Sequence, residues 1–265
     1  MSGPSNGGRG GRLAGKVAAI TGGNQGIGLG IAERFIAEGA SVSICYLSDQ
    51  PGTQKVVDGL KANGGQAIAI QCDVSKIPDG ERFIAETERQ LGHVDVLINN
   101  AGVEKRAEFW DVTEKDFDFV LNVNLKGLFF ITQAFVKHHI AAKTGGKIIN
   151  ISSVHEELPF PHFASYCASK GAVKMLTRDL SIELAPLGIT INSIAPGAIE
   201  TPINKNLLND PTKLNALLEN IPLKRLGTTA DVAGFASFLA SDDSNYATGT
   251  TLFVDGGLLW NYQEQ

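Results

Sequence analysis

Cysteine, methionine and tryptophan are scarce in this 265-residue chain, at three, two and two. The cysteines, Cys45, Cys72 and Cys167, form an odd and scattered set without C-x-x-C spacing. That excludes a disulfide scaffold and suits reduced thiols in a cytoplasm. No run of about 18 apolar residues is present, so no membrane span is expected. No Gly-Lys-Ser/Thr occurs, which excludes a P-loop. The charge excess is small and acidic, a net −5, so no nucleic-acid partner is expected. Residues 1–12 are glycine-rich and lack the apolar core of a signal peptide; they read as a disordered tail. The pair His138-His139 has no cysteine or carboxylate at ligand spacing. It reads as the exposed end of a helix, and no metal is expected.

What is present is an alternation of strand-like and helical runs from Lys16 onward, the pattern of repeated βαβ units. Strands are expected at Val17–Thr21, Val42–Tyr46, Ala67–Cys72, Val94–Ile98, from Ile148, at Ile189–Ile194 and at Thr251–Val254. Helices are expected at Leu29–Glu38, before Gly64, up to Leu91, from the cap Thr113 to about Lys143 with a break near Val123–Gly127, around Tyr166, and at Asp231–Ala240. Residues 199–222 are polar and weakly periodic and read as a mobile substrate flap. The expectation is one α/β domain over 13–265, a Rossmann-like doubly wound parallel sheet.

In such a sheet ligands collect beyond the carboxyl ends of the strands. The polar clusters fall there. Gly22, Gly26 and Gly28 lie between the first strand and its helix, where they permit a tight turn and leave backbone N–H groups free for a pyrophosphate. Asn24, Gln25 and Ile27 belong to the same loop. Asp73, with Val74 beside it, is placed to accept from an adenine amino group or to close a solvated turn. Asn100, Ala101 and Gly102 end the fourth strand; Pro196, Gly197, Ile199 and Thr201 end the sixth. Tyr46, Leu47 and Ser48 end the second, where neither an acidic side chain for a ribose hydroxyl nor an arginine for a 2′-phosphate is found. Dual or weakly selective use of NAD and NADP follows.

Tyr166 and Lys170 lie four apart on a helical pattern, one turn from each other. A fixed ammonium favours the charged form of a phenol whose pKa is otherwise roughly 10. Ser153, at the end of the fifth strand, is placed to bond the substrate oxygen. Together they suit proton transfer for an alcohol/carbonyl pair. Cys167 is close enough to make that chemistry sensitive to alkylation.

Thr21-Gly-x-x-x-Gly-x-Gly28, Asn99-Asn-Ala-Gly102, Asn124, Ser153, Tyr166-x-x-x-Lys170 and Pro196-Gly197 together resemble the short-chain dehydrogenase/reductases, over about residues 13–257. The resemblance implies a seven-stranded sheet and a catalytic tetrad of Asn124, Ser153, Tyr166 and Lys170. It further implies that Lys170 bonds the nicotinamide ribose, that Asn124 holds a relay water, and that Pro196–Thr201 secures the carboxamide. Most members are tetramers joined by two long helices, here those beginning near Asn124 and Tyr166.

Within that family, Ser152–Glu156 with Pro159-Phe-Pro161, Asn100–Glu104, Pro196–Asn204 and Thr251–Gly257 resemble the bacterial glucose 1-dehydrogenases. Those oxidise β-D-glucose to the lactone with NAD or NADP. They commonly carry an arginine after the tyrosine at the end of the second strand, where this chain has Leu47. Glu104, His155 and Asn204 are the candidate sugar contacts. For His155 a loop-stabilising hydrogen bond is the alternative, and for Glu104 a salt bridge between subunits. Another carbonyl substrate, such as a 3-oxoacyl thioester or a different polyol, and an idle nucleotide-binding sensor remain as rival functions.

Overall fold

A computed structural model describes residues 11–204 and 209–261. Seven strands form one parallel sheet: β1 (Val17–Ile20), β2 (Ser41–Tyr46), β3 (Ala67–Gln71), β4 (Val96–Asn99), β5 (Gly146–Ile151), β6 (Ile189–Pro196) and β7 (Thr251–Val254). Their order is β3-β2-β1-β4-β5-β6-β7. The chain therefore builds outward from β1 in one direction and, from β4, in the other. That reversal opens a crevice above the carboxyl ends of β1 and β4.

Both faces of the sheet are covered, so alternate residues of one strand enter different cores. Ala18 and Ile20 of β1 pack with Phe35 of α1 (Gly26–Ala37), Leu60 of α2 (Gln50–Ala62) and Val232 of α8 (Thr229–Ala240). Ala19 of the same strand packs on the other face with Phe83 of α3 (Ile77–Leu91) and Phe135 of α5 (Leu128–Ala142). Leu184 of α6 (Ala164–Leu184) joins that second core.

Thr113 caps α4 (Glu114–Leu121) by accepting the Asp116 N–H at 3.1 Å, as its sequence position indicates. The break expected near Val123–Gly127 is a π-helical turn, Asn122–Gly127, joining α4 to α5. The joined helix Glu114–Ala142 is, by length and composition alone, apolar enough to cross a membrane; half of its most apolar window is buried inside this fold.

Four expectations need correction. Helix α1 begins at Gly26, three residues early, because the glycines at 26 and 28 give no helical signal of their own. Within 199–222 a helix, α7 (Pro211–Asn220), is capped by Asp210. Arg12 faces Asp243 at 3.4 Å and Leu13 is buried, so the fold begins before the end of the expected tail; residues 1–10 lie outside the described residues. His139 is not exposed: its Nδ1 lies 2.9 Å from Thr144 Oγ1 and its Nε2 3.0 Å from the Val94 carbonyl. Burial beside His93 lowers its pKa.

Candidate active site

The cradle after β1 is built by backbone geometry. Gly22 and Gly26 have φ of +62° and +54°, in the left-handed region that side chains disfavour. A Cβ on Gly28 would collide with the Gly22 carbonyl and the Asn100 amide. Gln25 precedes α1 in an extended conformation and makes no side-chain cap, so the first N–H groups of α1 point outward unsatisfied. Such a concave, cation-like end fits a pyrophosphate.

The loop after β4 holds that cradle in place. Asn100 donates from Nδ2 to the carbonyls of Thr21 and Gly22 at 2.9 and 3.0 Å. In return Thr21 Oγ1 accepts the N–H groups of Asn100 and Ala101 at 2.9 and 3.0 Å. Sequence reasoning gave no side-chain role to Thr21; its place before the first glycine was the available signal. Asn24 donates to Thr53 Oγ1 at 3.2 Å, fixing the loop to α2. Ile27 packs against the first core.

At the end of β2, Tyr46 is buried, whereas Leu47 is 62% exposed and Ser48 is exposed. The next carboxylate, Asp49, is occupied: it caps α2 by accepting the Gly52 N–H at 3.0 Å. Asp73 accepts from the N–H and Oγ of Ser75 at 3.1 and 2.6 Å and faces Lys76 at 3.5 Å. It closes its own turn, and its remaining lone pairs are what an adenine amino group could use. Val74 is half-buried beside it.

Past β6, Gly197 donates to the Val254 carbonyl at 3.0 Å and Ile199 is buried. Thr201 then turns back over the glycine loop, 3.6 Å from where a Gly26 Cβ would stand. The loops after β1 and β6 thus face each other across the crevice. Asn204 donates to the Ile199 carbonyl at 2.8 Å, so its amide anchors this loop.

Asn124, in the π-helical turn, is committed through its side chain. Its Oδ1 accepts the Val103 N–H at 2.8 Å; its Nδ2 donates to the Val103 carbonyl at 2.9 Å and to Ser169 at 3.1 Å. It clamps the chain between Gly102 and Glu104.

Lys170 is buried and donates to the Ile151 carbonyl at 2.8 Å, with Nζ 5.6 Å from the centre of the Tyr166 ring. Ser153 accepts the His155 N–H at 3.2 Å, which leaves its own hydroxyl hydrogen to donate. One expectation changes. Burial pushes Tyr166 up to about 12, with the Ser153 hydroxyl pulling it down and Glu104 pushing it further up. Burial also pulls Lys170 down to about 8. Burial of the phenol outweighs the Ser153 hydrogen bond, so the protein alone favours the neutral form of Tyr166.

His155 lies with Nδ1 3.0 Å from the Leu158 carbonyl; a carbonyl only accepts, so Nδ1 carries the hydrogen and Nε2 is a free acceptor. Burial lowers its pKa and keeps it neutral. Its ring stacks on Phe160 at 4.2 Å, and Phe160 stacks on Phe163 at 4.1 Å. The loop-bonding alternative therefore holds for one nitrogen. Glu104 is half-buried and its pKa is raised by that burial.

Sequence reasoning missed a buried polar ladder beneath the site. Asn99 donates to Asn150 at 2.9 Å, Asn150 to Thr177 at 2.9 Å, and Thr177 lies 2.9 Å from Ser193. It ties β4, β5, α6 and β6 together.

Comparison with known proteins agrees with this geometry. Residues 22–259 match a family model described as enoyl-(acyl carrier protein) reductase. The chain is 43% identical to 3beta-hydroxysteroid dehydrogenase 1 of Eggerthella lenta, over 93% of this chain and 94% of that one. It is 40% identical to glucose 1-dehydrogenase of Gluconobacter oxydans, over 93% of each. A gluconate 5-dehydrogenase of Burkholderia cenocepacia, solved with NADP and tartrate, superposes with a TM-score of 0.88 at 38% identity, covering 93% of this chain and 97% of that one. The glycine cradle at the sheet reversal, the Tyr-x-x-x-Lys helix beside it and these relatives place the chain in the short-chain dehydrogenase/reductase family.

Proposed function

We propose that the chain is an NAD(P)-dependent dehydrogenase that oxidises a hydroxyl of a polyhydroxylated substrate, with β-D-glucose to gluconolactone the favoured reaction. The observation that carries this reading is Tyr166 held beside Ser153 and Lys170 at the sheet edge that also bears the glycine cradle. Gly22–Gly28 would hold the pyrophosphate, Tyr46–Ser48 the adenosine ribose, Asp73 and Val74 the adenine. Asn100–Gly102 and Lys170 would hold the nicotinamide ribose, and Pro196–Thr201 the carboxamide.

Bound NAD(P)⁺ supplies the hydride acceptor and a positive charge close to the phenol. Ser153 donates a hydrogen bond to the substrate oxygen, and Tyr166 takes the hydroxyl proton as general base. Lys170 stabilises the phenolate that this requires. Base catalysis of this sort contributes on the order of 10²–10⁴-fold. Asn124 fixes the loop carrying Glu104, and Glu104 and the free Nε2 of His155 accept from further hydroxyls of the substrate. Asn204 joins them through its carbonyl oxygen. Neither a nucleic acid nor a membrane enters this reading.

The assembly proposed is a homotetramer in a cytoplasm. Phe129 on α5 and Met175 and Ile182 on α6 are exposed, at 39%, 62% and 77%, on the two helices that join subunits in this family. A second reading has its own support. The stacked rings of His155, Phe160 and Phe163, with His155 6.3 Å from the Tyr166 ring, offer aromatic surface to an apolar ring, and one relative is named a steroid dehydrogenase. Initial rates with NAD and with NADP on glucose, other polyols, an alicyclic alcohol and 3-oxoacyl thioesters separate these. Fastest turnover of glucose supports the first reading, and turnover confined to the alicyclic alcohol or the thioester removes it. Binding of NAD(P)H without turnover of any alcohol would mark a sensor.

A further inference from the structure

The mechanism gives no part to a residue whose backbone is strained beside the site. His162 has a φ of +72°, in the left-handed region that a non-glycine side chain occupies only at a cost. It is the third residue of the turn Phe160-Pro161-His162-Phe163, which closes through the Phe163 N–H donating to the Phe160 carbonyl at 3.1 Å. Proline second and a positive φ third is a pattern whose usual third residue is glycine or asparagine. The turn itself gives no reason for a histidine there.

Two contacts outside the turn supply one. The His162 carbonyl accepts the Ala107 N–H at 2.9 Å. Its Nδ1 lies 3.2 Å from Glu108 Oε2, with both side chains partly exposed. Glu108 precedes the 3-10 turn Phe109–Asp111 and makes no side-chain cap to it, so that turn does not account for its carboxylate. Ala107 and Glu108 belong to the loop after β4, and His162 to the loop after β5.

Those two loops carry the side chains proposed to meet substrate. The loop after β4 starts beside Lys170, whose Nζ is 3.8 Å from where a Gly102 Cβ would stand. Asn124 holds this loop at Val103, Glu104 follows, and His162 holds it again at Ala107. The loop after β5 carries His155, 6.3 Å from the Tyr166 ring and stacked on Phe160 of the His162 turn.

We propose that His162 is a positioning residue for substrate: a latch joining the two loops, which fixes the stretch bearing Glu104 at its outer end and so sets where Glu104 stands relative to His155. An exposed charged contact by itself contributes little. Here the same residue also supplies the backbone bond, so losing the side chain loosens a junction already held at one point.

The latch rests on the dehydrogenase reading for its effect on substrate, while its existence is open to a measurement that needs none. In the full-length protein, the Ala107 amide hydrogen should exchange about fivefold faster in His162→Gly and in Glu108→Ala than in the parent. His162→Asn tolerates the left-handed backbone and keeps a nitrogen on Cγ where Nδ1 stands, so it should exchange like the parent. In turnover, KM for the best alcohol found should rise about fivefold in the glycine and alanine variants, with kcat and the NAD(P)H dissociation constant within about twofold. His162→Asn should keep the parent KM. The thermal midpoint of His162→Gly should change little, since relieved strain opposes the added freedom of the unfolded chain. If His162→Gly does not fold, Glu108→Ala carries both measurements. Unmoved KM, with or without faster exchange, would overturn the proposal. Equal losses in KM, kcat and cofactor affinity would show a merely structural turn and overturn it too. Absence of any alcohol turnover, with exchange shifting as stated, would instead count against the dehydrogenase reading alone.

Discussion

The side-chain amide of Asn100 donates to the carbonyl of Gly22 at 3.0 Å across 78 residues of chain. The two sit at the ends of β4 and β1, the neighbours between which the sheet reverses direction. The glycine loop proposed to cradle the dinucleotide is thereby held by a side chain from another strand's end.

Gly28→Ala follows from that arrangement. The added methyl meets the Gly22 carbonyl and the Asn100 amide, both fixed. Overpacking of this kind costs about 1–3 kcal/mol, and here the strain falls on the cradle. We expect the dissociation constant for NAD(P)H, measured by fluorescence titration, to rise at least about tenfold, which is 1.4 kcal/mol.

Leu47 stands at the proposed ribose end of the cofactor site and is 62% exposed, so its replacement should cost the fold little. Leu47→Arg should shift the ratio of kcat/KM toward NADP, and Leu47→Asp toward NAD, each by about tenfold or more. Thermal midpoints should stay within the narrow range of surface substitutions.

Glu104→Gln removes a charge that pushes Tyr166 upward. The acidic limb of kcat/KM should move to lower pH, because the phenol then ionises more readily. KM for a polyol should rise at the same time, through loss of a charged acceptor. A shift of the limb to higher pH would contradict the placement of Glu104.

Lys170→Met should be inactive yet more stable near neutrality. Burying the ammonium lowers its pKa from 10.5 to about 8, a cost on the order of 3 kcal/mol. Replacing it by an apolar side chain of similar length removes that cost. The cost is present below pH 8 and disappears as pH rises toward 10.5, so the gain should shrink in alkaline buffer. Thermal denaturation at two pH values checks this.

Much of the fold was legible because the parallel strands are apolar runs bounded by glycine, asparagine and proline. The positions of Tyr166, Lys170 and Ser153 followed from helical spacing and strand ends. What stayed hidden has physical reasons. Alternate residues of β1 enter two cores, so no face of the strand is polar and its edges blur. The start of α1 is masked by Gly26, at φ +54°, and Gly28, packed against the Gly22 carbonyl, which shape the turn rather than favour a helix. Polar residues such as Asn99, Asn150 and Thr177 look like surface positions until the sheet brings them together. Burial also reverses signs: His139 is enclosed and its pKa lowered, and the Tyr166 phenol is raised despite the neighbouring ammonium.

The most direct test is the rate of NAD(P)H formation by Tyr166→Phe on the best substrate found, at saturating cofactor. The account predicts kcat lower by about 10²-fold or more, with the NAD(P)H dissociation constant within about threefold of the parent. A phenylalanine enzyme that keeps near-normal kcat would show that the proton leaves by another route, and would contradict the role given to Tyr166.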